Sequence, residues 1–231
     1  MPTLLDPMFH STFEGLPSTR TRFMKQVKDV QQDILRMGAL VENSCWLARQ
    51  ALVERDLSAP DQIDQQDQVI DALYRKIEQD CLSLVALQSP VSRDLRILSA
   101  FMQIVRDLER IGDYAENLGE IAVRLFALAP HPIIEPVGLM LERSRSMLAM
   151  SLAAIANIDA ELGRAIKDKD DAVDADFDAL YDRLVHDSQA QFNLEATVLL
   201  VLVIRHIERM ADHATNVGQR ICFIQSGRMP N

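Results

Sequence analysis

The sequence predicts an all-α protein made of two tandem three-helix bundles related by an internal repeat. Aromatic residues make up only 5% of its 231 residues, whereas helix-forming residues dominate. Hydrophobic residues recur over long stretches in alternating steps of four and three, the period of a helix that buries one face. Three prolines within residues 130–136 interrupt this pattern, which then begins again. We therefore expect two helical units joined by a short linker.

The first unit is predicted to span residues 19–129. A heptad pattern over residues 23–51 predicts a long first helix, and a second helix is expected over residues 61–87. Ser89 and Pro90 have the types favoured at the N-cap and at the first position of a helix. We therefore expect the third helix to begin there and to continue to about residue 128.

The rest of the chain is divided by the same criteria. Residues 1–18 contain three prolines without periodicity and are expected to form a flexible tail. Residues 130–136 form the linker, and residues 137–226 form the second three-helix bundle. The last helix opens with an apolar stretch over residues 194–204, which indicates either a partner surface or a more buried helix. Of these two readings, we favour burial.

Two segments support the repeat. The tetrapeptide Asp-Ala-Leu-Tyr occurs at residues 71–74 and again at residues 178–181. The dodecapeptide at residues 106–117 has its counterpart at residues 205–216. A repeat of roughly 100 residues accounts for both the length of the chain and its central linker.

Composition narrows the classes of function. The formal net charge of −10 disfavours nucleic acid as a partner, because an acidic surface repels phosphate backbones. Three widely spaced cysteines without zinc-site spacing predict buried free thiols in a reducing compartment. The first residues lack the layout of a signal peptide, and the longest apolar run is about half the ~20 residues of a membrane helix. We therefore expect a cytoplasmic protein.

Acidic residues four positions apart form the most informative pattern. On a helix this spacing places both carboxylates on one face, where they repel each other by a few tenths of a kcal/mol unless a cation lies between them. Four such pairs occur: Asp67 and Asp71, Glu109 and Asp113, Asp174 and Asp178, and Glu208 and Asp212.

The register of the helices is expected to bring these pairs together. In an antiparallel hairpin centred on Pro90, Asp67 and Asp113 lie equally far from the turn. In a hairpin centred on Asn193, Asp174 and Asp212 lie equally far from the turn, and so do Asp178 and Glu208. Each half would then place four carboxylates at about the same position along two neighbouring helices. Such a set of oxygen ligands suits magnesium, manganese, iron or calcium.

Two other readings of the acidic residues stay open. The carboxylates could belong to solvated helix faces that pair with nearby arginines, in a purely structural helical module. They could also form a carboxylate-bridged metal hydrolase or oxidase. The sequence offers that enzyme little support, because neither Glu109 nor Glu208 begins the Glu-x-x-His pattern of di-iron bundles.

Three motifs resemble those of the PhoU family. They are Glu-Arg-Ile-Gly-Asp at residues 109–113, Glu-Arg-Met-Ala-Asp at residues 208–212 and Ser-Pro-Val-Ser-Arg-Asp-Leu-Arg at residues 89–96. The resemblance covers roughly residues 20–225. The second copy departs from the usual Ile-Gly at Met210 and Ala211, yet it keeps both carboxylates.

The resemblance implies a cytoplasmic, non-catalytic regulator. PhoU-like proteins couple the phosphate ABC transporter to a sensor histidine kinase and keep the phosphate-starvation response off when phosphate is plentiful. It also implies a homodimer that reaches the membrane only through these partners. Bound metal ions are implied as well, with iron, manganese, magnesium and zinc all open. At the positions of this sequence that match the family's motifs, the resemblance implies eight metal ligands: Asp67, Asp71, Glu109, Asp113, Asp174, Asp178, Glu208 and Asp212.

Overall fold

The computed structural model describes residues 19–186 and 193–228, and this part of the chain contains no β-strand. The all-α prediction is confirmed, while the predicted tail at residues 1–18 lies outside the described residues. The α-helices are α1 (Thr19–Arg49), α2 (Ala59–Gln88), α3 (Ser92–Phe126), α4 (Ile134–Asn157), α5 (Ala160–Ala165), α6 (Lys167–His186) and α7 (Leu194–Ser226), and a π-helical turn over Gln50–Glu54 extends α1.

The helices form two bundles with a shared core. Helices α1, α2 and α3 make the first bundle, and α4, α6 and α7 make the second, with the short α5 packed against α7. The bundles meet mainly through α3 and α7, and secondarily through α1 and α4. Arg96 Nε donates to the Ile224 carbonyl at one end of the α3–α7 pair, and Arg124 contacts Glu195 at the other. Helices α3 and α7 are therefore antiparallel.

The turn between α2 and α3 corrects one expectation. Ser89 does not cap α3; it ends α2 in the left-handed conformation (φ 45°), and its N–H donates to the Val85 carbonyl. Pro90 follows, as is common just beyond a helix C-terminus. Helix α3 begins only at Ser92, with Val91 in an extended conformation before it.

The second bundle differs from the expected outline at its beginning. Helix α4 begins at Ile134, so Pro136 lies in its first turn, where a missing N–H breaks no intrahelical bond. The short helix α5 was not predicted. The Asp159 side chain caps it by accepting hydrogen bonds from the N–H groups of Glu161 and Leu162.

The core follows the predicted heptads. Inward positions of α1 such as Ile34, Met37 and Val41 are fully buried. Cys45, Cys81 and Cys222 are buried free thiols, as the sequence predicts. None of the described helices combines the length and apolar character that crossing a bilayer requires.

Candidate functional site

The first acidic face consists of Asp67 and Asp71 on α2 with Glu109 and Asp113 on α3. Gly112 lies between the two α3 carboxylates and is buried against α2. A Cβ atom at this glycine would lie 3.9 Å from the Asp67 Oδ1 atom. This is ordinary contact distance, so the Asp67 carboxylate packs beside the α3 backbone at the position that the register predicts, and an alanine would also fit there.

Burial and mutual repulsion disfavour ionisation on this face. Burial raises the pKa of Asp67, and the neighbouring carboxylates of Asp71 and Asp113 raise it further. The pKa of Glu109 is raised by burial and then by Asp113, against the opposing effect of Arg110. Burial also raises the pKa of Asp113. All four carboxylates thus contribute to one region of negative potential.

Arginines compensate part of this charge. The Arg110 Nη1 atom lies 2.9 Å from Asp113 Oδ2, and its Nε atom lies 3.5 Å from Glu109 Oε2. Arg75 pairs with Asp71 at 3.0 Å. The Asp67 Oδ1 atom is buried and accepts no hydrogen bond from the described residues. One acceptor on this face is therefore left without a donor, which an added cation would satisfy.

The second acidic face consists of Asp174 and Asp178 on α6 with Glu208 and Asp212 on α7. Burial raises the pKa of Asp174, as do the nearby carboxylates of Asp170 and Asp212. The pKa of Glu208 is raised by burial, which outweighs the opposing effect of Arg205. Asp178 is exposed and makes no hydrogen bond or ion pair within the described chain. The structure therefore brings three of these four carboxylates into mutual electrostatic contact.

The second face also pairs with arginines. Arg205 Nη1 lies 2.7 Å from Glu208 Oε1, and Arg209 Nη1 lies 3.2 Å from Asp212 Oδ2. The Glu208 Oε2 atom is buried and accepts no hydrogen bond from the described residues. Its neighbour Arg209 reaches it only at 3.8 Å, as an ion pair. Each face thus contains one buried carboxylate oxygen without a donor.

Two charged residues near the faces were missed by sequence reasoning. Glu116 lies one turn beyond Asp113, and its pKa is raised by burial and by Asp67. Asp170 is only 3% exposed, and its Oδ2 atom accepts from Lys167 at 2.8 Å. Aligning the repeats would have revealed Asp170, because it occupies the position of the buried Ile63 in the first copy.

The two faces flank the contact between α3 and α7. His213 Nδ1 lies 2.8 Å from Asp107 Oδ1 across this contact. The Tyr114 ring centroid lies 5.4 Å from that of His206 and 5.9 Å from that of His213. The repeat relates Asp107 to His206 and Tyr114 to His213, so the contact has an approximate two-fold axis. Burial raises the pKa of Asp113, and a positive charge on His213 opposes that rise, which links the bundle contact to the first face.

The donor chemistry of the faces fits a hard cation. Carboxylate oxygens are the ligands that such ions prefer. The buried oxygens of Asp67 and Glu208 that accept no hydrogen bond from the described residues lie on these faces. Within residues 19–186 and 193–228, however, no three His, Cys, Asp or Glu side chains converge closely enough to hold a metal ion. Binding would therefore require the side chains to rotate away from their arginine partners.

Comparison with known proteins matches the whole two-bundle unit. A sequence profile described as the PhoU domain matches residues 34–122 and again residues 137–221, one match in each repeat. A phosphate-specific transport system accessory protein PhoU homolog from Synechocystis is 48% identical over 209 residues, covering 90% of this chain and 93% of that protein.

Two crystal structures share the fold. One is the phosphate transport system regulatory protein PhoU from Streptococcus pneumoniae, with a TM-score of 0.83, 27% identity, and coverage of 90% of this chain and 99% of that one. The other is PhoU from Pseudomonas aeruginosa, with a TM-score of 0.84, 28% identity, and coverage of 89% and 100%. These proteins therefore share with this chain the internal repeat, the order of the helices and the contact between the bundles.

Proposed function

This chain belongs to the PhoU family, and we propose on that premise that it is a regulatory accessory protein of a phosphate transport system. The observation that carries the proposal is the 48% identity, over nearly the full length of both chains, to a protein described as such an accessory factor. Its partners would be the phosphate ABC transporter and a sensor histidine kinase. It would keep the starvation response off while phosphate is plentiful, and act in the cytoplasm.

The adaptor function needs surfaces rather than a reaction. Helix α7 buries one side of its apolar opening, including Leu200 and Ile204. Its other side exposes Leu194, Val198 and Leu202, which are 77%, 52% and 43% exposed and four residues apart. The stretch is therefore partly a buried helix and partly an apolar surface, because one of its sides faces the core and the other faces solvent. The exposed side supports a role in contacting a partner or a second copy in a homodimer.

The acidic faces would bind metal ions as a structural element of the adaptor. The first site would use Asp67, Asp71, Glu109 and Asp113, and the second would use Asp174, Glu208 and Asp212 with Asp178 added by rotation. A bound cation would neutralise the crowded charge and cross-link the two helices that present each face. The support is the buried oxygens of Asp67 and Glu208 that accept no hydrogen bond from the described residues, together with the burial and the neighbouring carboxylates that raise the pKa values of these two groups.

One observation favours the alternative of solvated acidic faces. Arg110 and Arg209 each contact both carboxylates of their own motif, which compensates the charge without a metal. In this alternative the faces contribute only to solubility and helix packing, and the regulatory function is unchanged. The two versions differ in metal content, which can be measured directly.

Metal content of the untagged protein, measured by mass spectrometry, separates the two versions. The test variant combines Glu109→Ala, Asp113→Ala, Glu208→Ala and Asp212→Ala. A matched control changes four exposed acidic residues outside the faces, namely Asp29, Asp61, Asp168 and Asp182, to alanine. We expect iron, manganese, magnesium or zinc in the parent and the control but not in the test variant. Absence of metal from all three after reconstitution would refute the metal sites.

A catalytic function would show itself in a different result. Turnover of a phosphoester by the parent, lost in Glu109→Ala but kept in the control variant, would replace the adaptor with a metal hydrolase. The adaptor proposal expects no turnover above that of the test variant. The same protein preparations serve for both measurements.

A further inference from the structure

One end of this acidic protein concentrates positive charge. The first ten residues of α1 contain Arg20, Arg22, Lys25 and Lys28 and no acidic residue. Cations near a helix N-terminus oppose the helix dipole, so they do not help to form the helix. The first ten residues of α4, 134–143, contain two glutamates and a single cation, Arg143. The basic opening is therefore specific to the first copy and is not required by the repeated fold.

Three of these cations, Arg20, Lys25 and Lys28, border a groove between α1 and α3. The groove has a volume of about 580 Å³ and is closed at one side by Ile158, at the end of α4. Val27 and Phe101 are buried at its base, and Ile97 is partly buried. The lining thus combines an apolar base with charged walls. We call this surface the basic groove, with charged residues Arg20, Lys25, Lys28, Arg93 and Asp94.

Most of the positive charge in the basic groove is uncompensated. Among the described residues that line it, Asp94 is the only acidic one, and it pairs with Arg20. Lys25, Lys28 and Arg93 are exposed and form no ion pair or hydrogen bond with any part of the chain that the structure describes. Helices α1 and α3 begin at this end whereas α4 ends there, so the helix dipoles oppose one another and the positive potential comes from the side chains. The groove therefore attracts negative charge although the protein as a whole repels it.

We propose that the basic groove binds an acidic, partly apolar segment of a protein partner. Lys25 and Lys28 lie about one helical turn apart on α1, and Arg93 faces them from α3, so carboxylates on two sides of the segment would find cations. An apolar side chain between these carboxylates would reach Val27 and Phe101. A concave groove with an apolar base fits an inserted segment better than the flat surface of a lipid bilayer.

This inference rests on the proposed adaptor function and gives the chemistry of one partner. Because the protein carries a net charge of −10, it repels an acidic partner everywhere except at such a local site. The groove would therefore fix where and in which orientation the partner docks. The acidic faces lie on α2, α3, α6 and α7 and do not contribute to its lining. A variant or result that abolishes peptide binding therefore says nothing against the metal sites, and the reverse also holds.

Fluorescence anisotropy with a labelled synthetic peptide tests the proposal on the full chain. The peptide is helical, with glutamates on both sides of a leucine and phenylalanine stripe, and a second peptide replaces each glutamate by glutamine. The groove variant combines Lys25→Glu, Lys28→Glu and Arg93→Glu. The control variant combines Arg36→Glu, Lys169→Glu and Arg183→Glu, three exposed cations outside the groove. Each triple changes the formal net charge from −10 to −16 (−10 − 3 × 2).

We expect the acidic peptide to bind the parent and to bind the groove variant on the order of tenfold more weakly, since each exposed charge contact contributes modestly. The control variant should change affinity less than about threefold, and added salt should weaken binding by the parent. Equal weakening by both triples, or equal binding of the glutamine peptide, would overturn the proposal.

Two further measurements assign the groove to other occupants if the proposal is wrong. Binding of the parent, but not of the groove variant, to phosphatidylserine vesicles in the absence of peptide binding would assign the groove to a membrane surface. A tenfold gain in peptide affinity on changing Asp6→Asn and Glu14→Gln would assign it to the first residues of the chain itself. Either result overturns the assignment to a protein partner.

Discussion

Replacing Gly218 by alanine should destabilise the protein, although alanine is the better helix former. Gly218 on α7 packs against Gly163 on α5, and a Cβ atom at Gly218 would lie 2.4 Å from the Gly163 carbonyl oxygen and 3.0 Å from Ile166 Cδ1. Ordinary contact begins at 3.4 Å, so the α5 backbone must move by about 1 Å. A backbone carbonyl cannot rotate away as a side chain can. Overpacking of this kind costs about 1–3 kcal/mol or more.

Gly119 on α3 provides the matched control, because the repeat relates it to Gly218. A Cβ atom there would meet the Ile63 Cδ1 atom at 3.2 Å, the flexible end of a side chain. Helix propensity favours alanine over glycine by about 1 kcal/mol. We therefore expect Gly119→Ala to change the free energy of unfolding by less than about 1 kcal/mol, whereas Gly218→Ala lowers it by about 2 kcal/mol.

Urea unfolding followed by circular dichroism measures both free energies, provided that each transition has a single midpoint common to different probes. Equal effects of the two substitutions would refute the reasoning, because they would show that α5 yields as readily as the Ile63 side chain. A stabilising Gly218→Ala would show that α5 does not pack on α7 as described.

The remaining predictions concern the acidic faces and the contact between the bundles. Burial raises the pKa values of Asp67 and Glu109, so the stabilising effect of their protonation is complete below the unfolded values of 3.8 and 4.5 and is lost as pH rises through the folded values. The metal-free parent should therefore lose stability in urea as pH rises above these unfolded values, and Asp67→Asn with Glu109→Gln should reduce that slope. Burial lowers the pKa of His206, which favours the folded state above the unfolded value of 6.5; this contribution should fade as pH falls below that value, and His206→Gln should remove it. Saturating manganese at about 100 times its dissociation constant should raise the free energy of unfolding by about 2.7 kcal/mol. Asp71→Ala with Glu109→Ala should remove metal from the first face alone, and equal loss from both halves in a metal assay would contradict the pairing of α2 with α3.

The sequence predicted the features that depend on local periodicity. The heptads located the long helices, because a helix must bury its apolar stripe, and the duplicated motifs identified the repeat. The register argument placed Asp67 beside the Gly112 backbone, since an antiparallel hairpin leaves little freedom once its turn is located.

Features that depend on tertiary contacts were beyond such reasoning. Helix α5 is only six residues long, too short for a visible period, and its existence depends on the Asp159 cap and the close approach to α7. The antiparallel contact of α3 with α7 joins residues 71 to 128 positions apart, which no local pattern specifies. Whether Arg110 and Arg209 pair with the carboxylates or leave them open to a metal depends on side-chain conformations that spacing alone does not determine.

The phosphate-starvation response of cells in phosphate-rich medium tests the proposed function most directly. The gene is deleted in the source organism, and expression of a starvation-induced gene is measured in the deletion strain, with the parent restored, and with the metal-face variant restored. The metal-face variant is the one that combines Glu109→Ala, Asp113→Ala, Glu208→Ala and Asp212→Ala. We predict that the response is on in the deletion strain and off when the parent returns, and that the metal-face variant restores repression only in part. A response that stays off in the deletion strain would contradict the regulatory function of the protein.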